Sequence, residues 1–384
     1  MGQKILCVTN DFGPRAGGIE TFVMGLIERL PRGHVIVYTS AQGDTSDYDA
    51  KWLRDFGVEV IRDRSKILLP TPRVSRTLGT LVRSRAIKTA FFGAAAPLGL
   101  MAHYLRKSGL KQIVALTHGH EVWWAKIWPF SLAMKRIGST IDHITYLGEF
   151  TRGEISRSIS SPARDAMVRI APGIDTDHFK PREDSSNLRR ELGLSDKKVI
   201  VSVGRLVHRK GQDQLIEAMP IILGRIPDAH LIVIGQGPYR KFLEKRVRDL
   251  SLEDSVTFIG RIQHDVLPTY IGVGDVFAMP SRSRLAGLEV EGLGIVYLEA
   301  SACELAVIAG RSGGAPDAIL ESITGVSVDG TNSREIADAA IALLSDLARA
   351  REMGQAGRAW IIEQWSWDLW SSEFRRILKV DQPI

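Results

Sequence analysis

Two carboxylates, Glu291 and Glu299, stand eight residues apart, with glycines at 292 and 294 directly after the first. Ahead of them, residues 276–280 form a short apolar run of buried-strand character, and residues 295–303 have the composition of a helix. The spacing therefore predicts strand, turn, helix. It puts Glu291 on a loop where Gly292 and Gly294 let backbone approach a ligand. The helix start beyond offers free N–H groups and a partial positive charge, which suits a phosphate. Glu299 lies further along, at a distance able to reach a ribose. An acid, an anion cradle and a second acid make a layout for a nucleotide-sugar. A bare pair of glutamates at this spacing also occurs on ordinary helices, so the chemistry depends on the turn, the strand and the rest of the chain.

Gly204-Arg205-Leu-Val-His-Arg-Lys210-Gly211 follows another apolar run, at residues 198–203. Arg205 and Lys210 at a strand's carboxyl end could neutralise a diphosphate leaving group in place of a metal ion. The competing reading is a solvated basic loop. His118-Gly-His120-Glu121 ends a strand of the first half. As a metal site it is thin, with no helix-borne histidine pair and no third ligand, and His118 reads as a substrate contact or as a packed histidine. Asp175-Thr-Asp177 has the spacing of an Asp-x-Asp metal motif but falls in a connector, so no metal ligand is assigned. Gly235-Gln-Gly237-Pro-Tyr-Arg240 has two glycines of a dinucleotide fingerprint, with Arg240 in place of the third, which disfavours hydride transfer. No phosphate-binding Gly-x4-Gly-Lys-Ser/Thr loop occurs.

The elements needed to hold these residues are legible as an α/β pattern. Residues 4–9 read as a buried strand, followed by a glycine-bearing loop and an amphipathic helix over 19–30. Strands follow at 34–39, 58–61, 88–92, 112–117 and 143–147, alternating with helices. Residues 171–175 read as a connector, and the alternation restarts with strands at 198–203, 229–234, 256–259, 276–279, 306–309 and 326–328. Two doubly wound, Rossmann-like domains are expected, over residues 1–170 and 171–365, with a closing helix in 366–384 returning to the first. A length of 384 residues also calls for two domains.

Composition narrows the setting. Only two cysteines occur, Cys7 and Cys303, which argues against a disulfide framework and fits a reducing cytoplasm. The opening apolar run is too short for a signal peptide, and no run reaches the length of a membrane span. The net charge of +6 is uneven: residues 1–170 hold 24 Lys and Arg against 14 Asp and Glu, while residues 171–384 hold 26 against 30. A basic first half suggests a nucleic acid or an anionic membrane. The densest basic segment, residues 62–88, has eight cations and one acid, Asp63, interleaved with Ile67, Leu68, Leu69, Leu78 and Leu81. It has no aromatic residue on which a base could stack, which disfavours nucleic acid. The segment is read as a docking surface for anionic lipid, or else as a basic helix with its apolar face in the core. Trp123, Trp124, Trp128 and Phe130 form a nearby aromatic stretch, an interfacial anchor or core packing.

Taken together, Gly17-Gly18, His118, Arg205 with Lys210, and Glu291-x7-Glu299 resemble the retaining glycosyltransferases of family 4, over nearly the whole chain. Val8-Thr-Asn-Asp11, Thr117-His-Gly-His-Glu121, Arg209-Lys-Gly-Gln-Asp213 and Val290-Glu-Gly-Leu-Gly-Ile-Val296 are similar to actinobacterial GDP-mannose-dependent phosphatidylinositol-mannoside mannosyltransferases. The resemblance implies the GT-B fold, two facing Rossmann-like domains, and transfer of mannose from GDP-mannose without cofactor or metal. It implies a phosphatidylinositol mannoside acceptor, taken up by a peripheral protein at the inner face of the plasma membrane. By position, it assigns the Gly17 and Gly18 amides to diphosphate and sugar, His118 to the transferred sugar, and Arg205 and Lys210 to the diphosphate. Glu291 would meet sugar hydroxyls, and the backbone of Gly292, Leu293, Gly294, Ile295 and Val296 would cradle sugar and phosphate. Glu299 would take the ribose, and backbone near Ile262 the base. A family 4 enzyme with another nucleotide-sugar or acceptor is the alternative. Glu304 stands where relatives usually have glycine, so a left-handed backbone there would be strained.

Overall fold

The apolar runs that do not alternate are strands covered on both faces, and such strands belong to parallel sheets. A computed structural model, describing residues 4–15 and 17–380, shows this arrangement twice. The chain divides into two compact units, Met1–Gly173 with Trp367–Ile384, and Ile174–Ser366.

The first unit carries seven strands: β1 (Ile5–Thr9), β2 (Val35–Thr39), β3 (Glu59–Arg62), β4 (Thr89–Phe92), β5 (Gln112–Ala115), β6 (His143–Tyr146) and β7 (Val168–Arg169). Their order is β3-β2-β1-β4-β5-β6-β7, every pair parallel, with Ile5 opposite both Val35 and Thr89. Every residue of β1 and β2 is buried. The two-residue β7 carries too little apolar pattern to be read from sequence.

Trp367–Ile377 is the closing helix, and it packs on the first unit. Phe374 meets Phe91 edge-on at 5.1 Å, and Gln112 Nε2 donates to the Ile377 carbonyl at 2.7 Å. Arg375 donates to the Arg29 carbonyl at 3.0 Å. The helix thus satisfies buried polar groups as well as covering apolar ones.

The second unit has β8 (Lys198–Val203), β9 (Ala229–Ile234), β10 (Val256–Gly260), β11 (Val276–Met279), β12 (Ala306–Gly310) and β13 (Gly325–Val328). They lie parallel in the order β10-β9-β8-β11-β12-β13. In each sheet the strand order reverses once, between β1 and β4 and between β8 and β11. A doubly wound sheet holds its ligands at that reversal, outside the carboxyl ends of the strands. No helix among the described residues is long and apolar enough to cross a membrane.

Glu304 has the left-handed backbone that the sequence flagged, with φ of 63°. Its carbonyl packs against Gly354, where any side chain would collide, and its carboxylate stands 3.9 Å from Arg358.

Candidate active site

The second unit builds a site at its sheet's reversal from three loops. The first leaves β8 and folds His208–Lys210 into a single 3-10 turn. The second leaves β11 and reaches Glu291, and the helix Ile295–Ala302 follows. The third leaves β12 through Ser312 and Gly314. Two glycines make the close approach work. Gly211 has φ of 75°, and a Cβ there would lie 1.9 Å from the Pro280 carbonyl oxygen. Gly294 has φ of 80°, and a Cβ there would lie 2.4 Å from the Tyr297 ring. Tyr297 beneath it is locked by donating to the Met279 carbonyl at 2.6 Å.

Glu291 is the centre of the site. Its N–H donates to Ser312 Oγ at 3.3 Å, and its carbonyl accepts from Gly314 N–H at 2.8 Å. Its carboxylate accepts from Lys210 Nζ at 2.7 Å and from Arg209 Nη1 at 2.6 Å. Burial alone would raise its pKa, but the two cations outweigh burial and hold Glu291 below the usual carboxylate range. Lys210 is pushed down chiefly by burial, with Glu291 opposing and the neighbouring Arg209 charge adding to the fall. An anion entering here competes with Glu291 for the cations.

Glu299, also buried, is pushed up to about 7 by burial, with only Lys210 opposing. It is a carboxyl poised to hold or release a proton near neutrality. The N-terminus of the helix Ile295–Ala302 carries no capping side chain; the Tyr297 N–H donates to the Gly294 carbonyl at 2.9 Å, and the N–H groups of Ile295 and Val296 ahead of it suit an anion. Leu293 and Val296 are buried, and Gly292 and Ile295 are half-buried on the same turn. Ile262, half-buried, follows the end of β10.

Arg205 is exposed, and it is Arg209 that joins Lys210 on Glu291. Sequence reasoning assigns Arg205 and gives Arg209 no role. Four residues from 205 to 210 carry Arg, His or Lys, and only the turn decides which face inward. A second tier is also invisible in the sequence. Arg282, 6% exposed, donates to Asp213 at 2.7 Å and contacts His208 Nδ1 at 2.9 Å, and its N–H meets the Arg209 carbonyl at 2.8 Å. It ties the cationic turn to the end of β11.

In the first unit His118 is buried, its basicity lowered chiefly by desolvation. Nε2 contacts the Gly93 carbonyl, and its backbone N–H donates to Glu121 at 2.9 Å. Phe22 meets its ring edge-on at 5.6 Å. Gly17 caps the helix Gly18–Glu28, and the Glu20 carboxylate folds back over it, held by Arg15 Nε at 2.8 Å. Asp11, just past β1, belongs to one of the sequence motifs but has no role assigned from sequence. It is pushed up to about 6 by burial and then by Glu20.

Asp175 serves the local backbone, its carboxylate accepting from the N–H groups of Asp177 and His178, each at 3.0 Å. The Asp-x-Asp spacing here is an Asx turn.

The basic segment is corrected in part. Leu68, Val74, Leu78 and Val82 are buried, so the helix Pro72–Ser84 turns its apolar face to the core. Arg62 is spent on Asp49 at 2.7 Å, Arg73 on Asp63 at 2.6 Å, and Arg85 reaches Glu59 at 3.2 Å. Arg76, Arg83, Arg85 and Lys88 stay exposed along the helix and just beyond it, and in the preceding loop Arg64 and Lys66 are exposed beside Ile67 and Leu69, which are 65% and 51% exposed. Of the aromatic stretch, Trp123, Trp124 and Phe130 pack on one another within 5.2 Å, and Trp128 is exposed.

Comparison with known proteins agrees with this architecture. Residues 16–178 match the family model described as Glycosyltransferase Family 4, and residues 184–360 match that described as Glycosyl transferases group 1. The chain is 43% identical to the GDP-mannose-dependent alpha-(1-6)-phosphatidylinositol monomannoside mannosyltransferase of Mycolicibacterium smegmatis, over 94% of this chain and 95% of that one. It is 40% identical to the enzyme of the same name from Mycobacterium tuberculosis, over 99% of both chains. Anabaena HepE in complex with UDP superposes with a TM-score of 0.82 at 18% identity, over 98% of this chain and all of that one, and shows the shared fold. Two domain models in tandem and full-length identity at this level place the chain in the family 4 glycosyltransferases, alongside the mycobacterial phosphatidylinositol monomannoside mannosyltransferases.

Proposed function

We propose that the protein transfers mannose, with retention of configuration, from GDP-mannose to a phosphatidylinositol mannoside. The observation that carries the reading is the pairing of Arg209 and Lys210 on Glu291, beside the uncapped helix end and Glu299. As the glycosidic bond to the diphosphate breaks, negative charge grows on the leaving oxygen. The buried Lys210, the half-buried Arg209 and a helix N-terminus meet that charge without reorganising, which is where electrostatic catalysis gains most. Glu291, displaced from the cations by the phosphate, is free to accept sugar hydroxyls. Glu299 takes the ribose. Arg205 and the Gly17 and Gly18 amides serve as further diphosphate contacts, His118 as a sugar contact, and backbone at Ile262 as a base contact. The donor site needs no metal, since fixed cations of the chain supply the charge.

The name and full-length identity of the mycobacterial relatives support donor and acceptor alike. A glycolipid acceptor has to be met at a bilayer, and the exposed loop with Arg64, Lys66, Ile67 and Leu69 suits a peripheral contact with anionic lipid at the inner membrane face. The test is a panel of nucleotide-sugars offered with an actinobacterial lipid extract, with products read by mass. The reading expects one added hexose on phosphatidylinositol mannoside with GDP-mannose. Hexose transfer from UDP-glucose instead, or to a soluble acceptor alone, would favour the other family 4 chemistries.

A further inference from the structure

Arg209 is shared. Its Nη1 donates to Glu291 at 2.6 Å, and its Nε lies 3.9 Å from Glu289 Oε1. Glu289 has a second claimant, because Arg284 Nη1 donates to its Oε2 at 2.9 Å. Glu289 and Arg284 also face each other across a small hairpin, with backbone bonds of 2.8 and 3.2 Å in the two directions. The hairpin's tip is unusual. Leu285, Ala286 and Gly287 are all left-handed, with φ of 50°, 51° and 80°, and Leu285 is 68% exposed. Two of these residues carry a Cβ that disfavours that backbone, and nothing in the core requires the bend. Local strain that no packing explains points to a function for the residues it presents. What this hairpin presents is a carboxylate beside a donor-site cation.

We propose that Glu289 is a positioning residue that sets how strongly Arg209 holds the diphosphate of a nucleoside-diphosphate donor, with Arg284 as its competing partner. The proposal rests on the donor reading above. Glu291 and Glu289 both lower the positive field that an entering diphosphate meets at Arg209. Glu291 is occupied with the sugar once the donor is bound, so Glu289 is the counter-charge that remains. Its pull on Arg209 weakens the grip on the diphosphate and helps the product nucleotide leave. Arg284, by drawing Glu289 away, strengthens that grip. The group is partly solvated, so the effect is modest and salt-sensitive.

The sign separates this role from a structural one. If Glu289 merely propped the hairpin, removing its charge would loosen the site and weaken nucleotide binding. As a counter-charge, its removal tightens it. The measurement is GDP affinity by calorimetry at low salt without divalent metal. Glu289→Gln is expected to bind GDP about threefold to fivefold more tightly than the parent, with the gain fading at high salt. Glu289→Asp, which keeps the charge, should stay close to the parent. Arg284→Gln should weaken GDP by a similar factor in the parent and have little effect in the Glu289→Gln background. Equal or weaker GDP binding by Glu289→Gln overturns the proposal, as does an effect of Arg284→Gln that is the same in both backgrounds. If the parent binds no GDP, the donor reading itself falls, a result distinct from either.

Discussion

At the scale of single residues, the site is a contest for one carboxylate. Glu291 carries opposite charge to two neighbours, and its work begins when an anion takes its place. Glu291→Gln should therefore lower turnover, since the proposed site gives it the hydroxyls of the reacting sugar. Glu299→Gln should chiefly raise the donor Michaelis constant, because ribose contacts change little between ground and transition state. Identical kinetic profiles for the two variants would contradict that division. Glu299 also marks stability. Its folded value of about 7 lies above the ordinary 4.5, so between these values the folded chain keeps a proton that the unfolded chain has lost. That contribution is complete below the lower value and disappears as pH rises through about 7. In thermal melts Glu299→Gln should match the parent at pH 5 and exceed it at pH 8. A constant difference between the two would show that burial does not perturb Glu299. The glutamate pair, the glycines and Lys210 were legible because their spacing is local. Arg209 was not, since which cation turns inward depends on the left-handed Gly211 and on Arg282 from another loop.

At the scale of elements, glycine and its absence decide local geometry. Gly211 and Gly294 let the cationic turn and the helix start close on Pro280 and Tyr297. Glu304 is the reverse case, a left-handed position where the sequence has a side chain. Relief of that strain by Glu304→Gly should stabilise by about 1 kcal/mol, since its contact with Arg358 is a loose one. For a unit of this size that is a rise of about 2–4 °C in Tm. A fall in Tm would mean that the carboxylate does more than the geometry shows. The strands were read nearly to their ends, because a fully buried parallel strand is a continuous apolar run. β7 was missed for want of length. The cations of residues 62–88 were overcounted as free because charge counts do not reveal partners: Asp49 and Glu59 from outside the segment and Asp63 within it pair with three of its arginines.

At the scale of the whole molecule, two doubly wound units divide the labour, one basic and one acidic in net charge. The alternation of strand and helix made this visible from sequence, and the family resemblance narrowed it to one chemistry. If the exposed loop of the first unit meets lipid, each cation contributes about 1 kcal/mol at an anionic surface. The double change Arg64→Glu with Lys66→Glu, or Ile67→Ser with Leu69→Ser, should abolish sedimentation with phosphatidylinositol vesicles at low salt, whereas Arg73→Gln should retain it. Unchanged sedimentation of both loop variants would rule the loop out. The central claim is that cations built into the second unit do the work of a metal on the departing diphosphate. It is tested most directly by mannose transfer from GDP-mannose to phosphatidylinositol monomannoside in excess EDTA, comparing the parent with Lys210→Met. The account predicts full transfer by the parent in EDTA and a fall of about a hundredfold or more in the variant. Loss of transfer in EDTA that magnesium or manganese restores, or a Lys210→Met enzyme as fast as the parent, would contradict it.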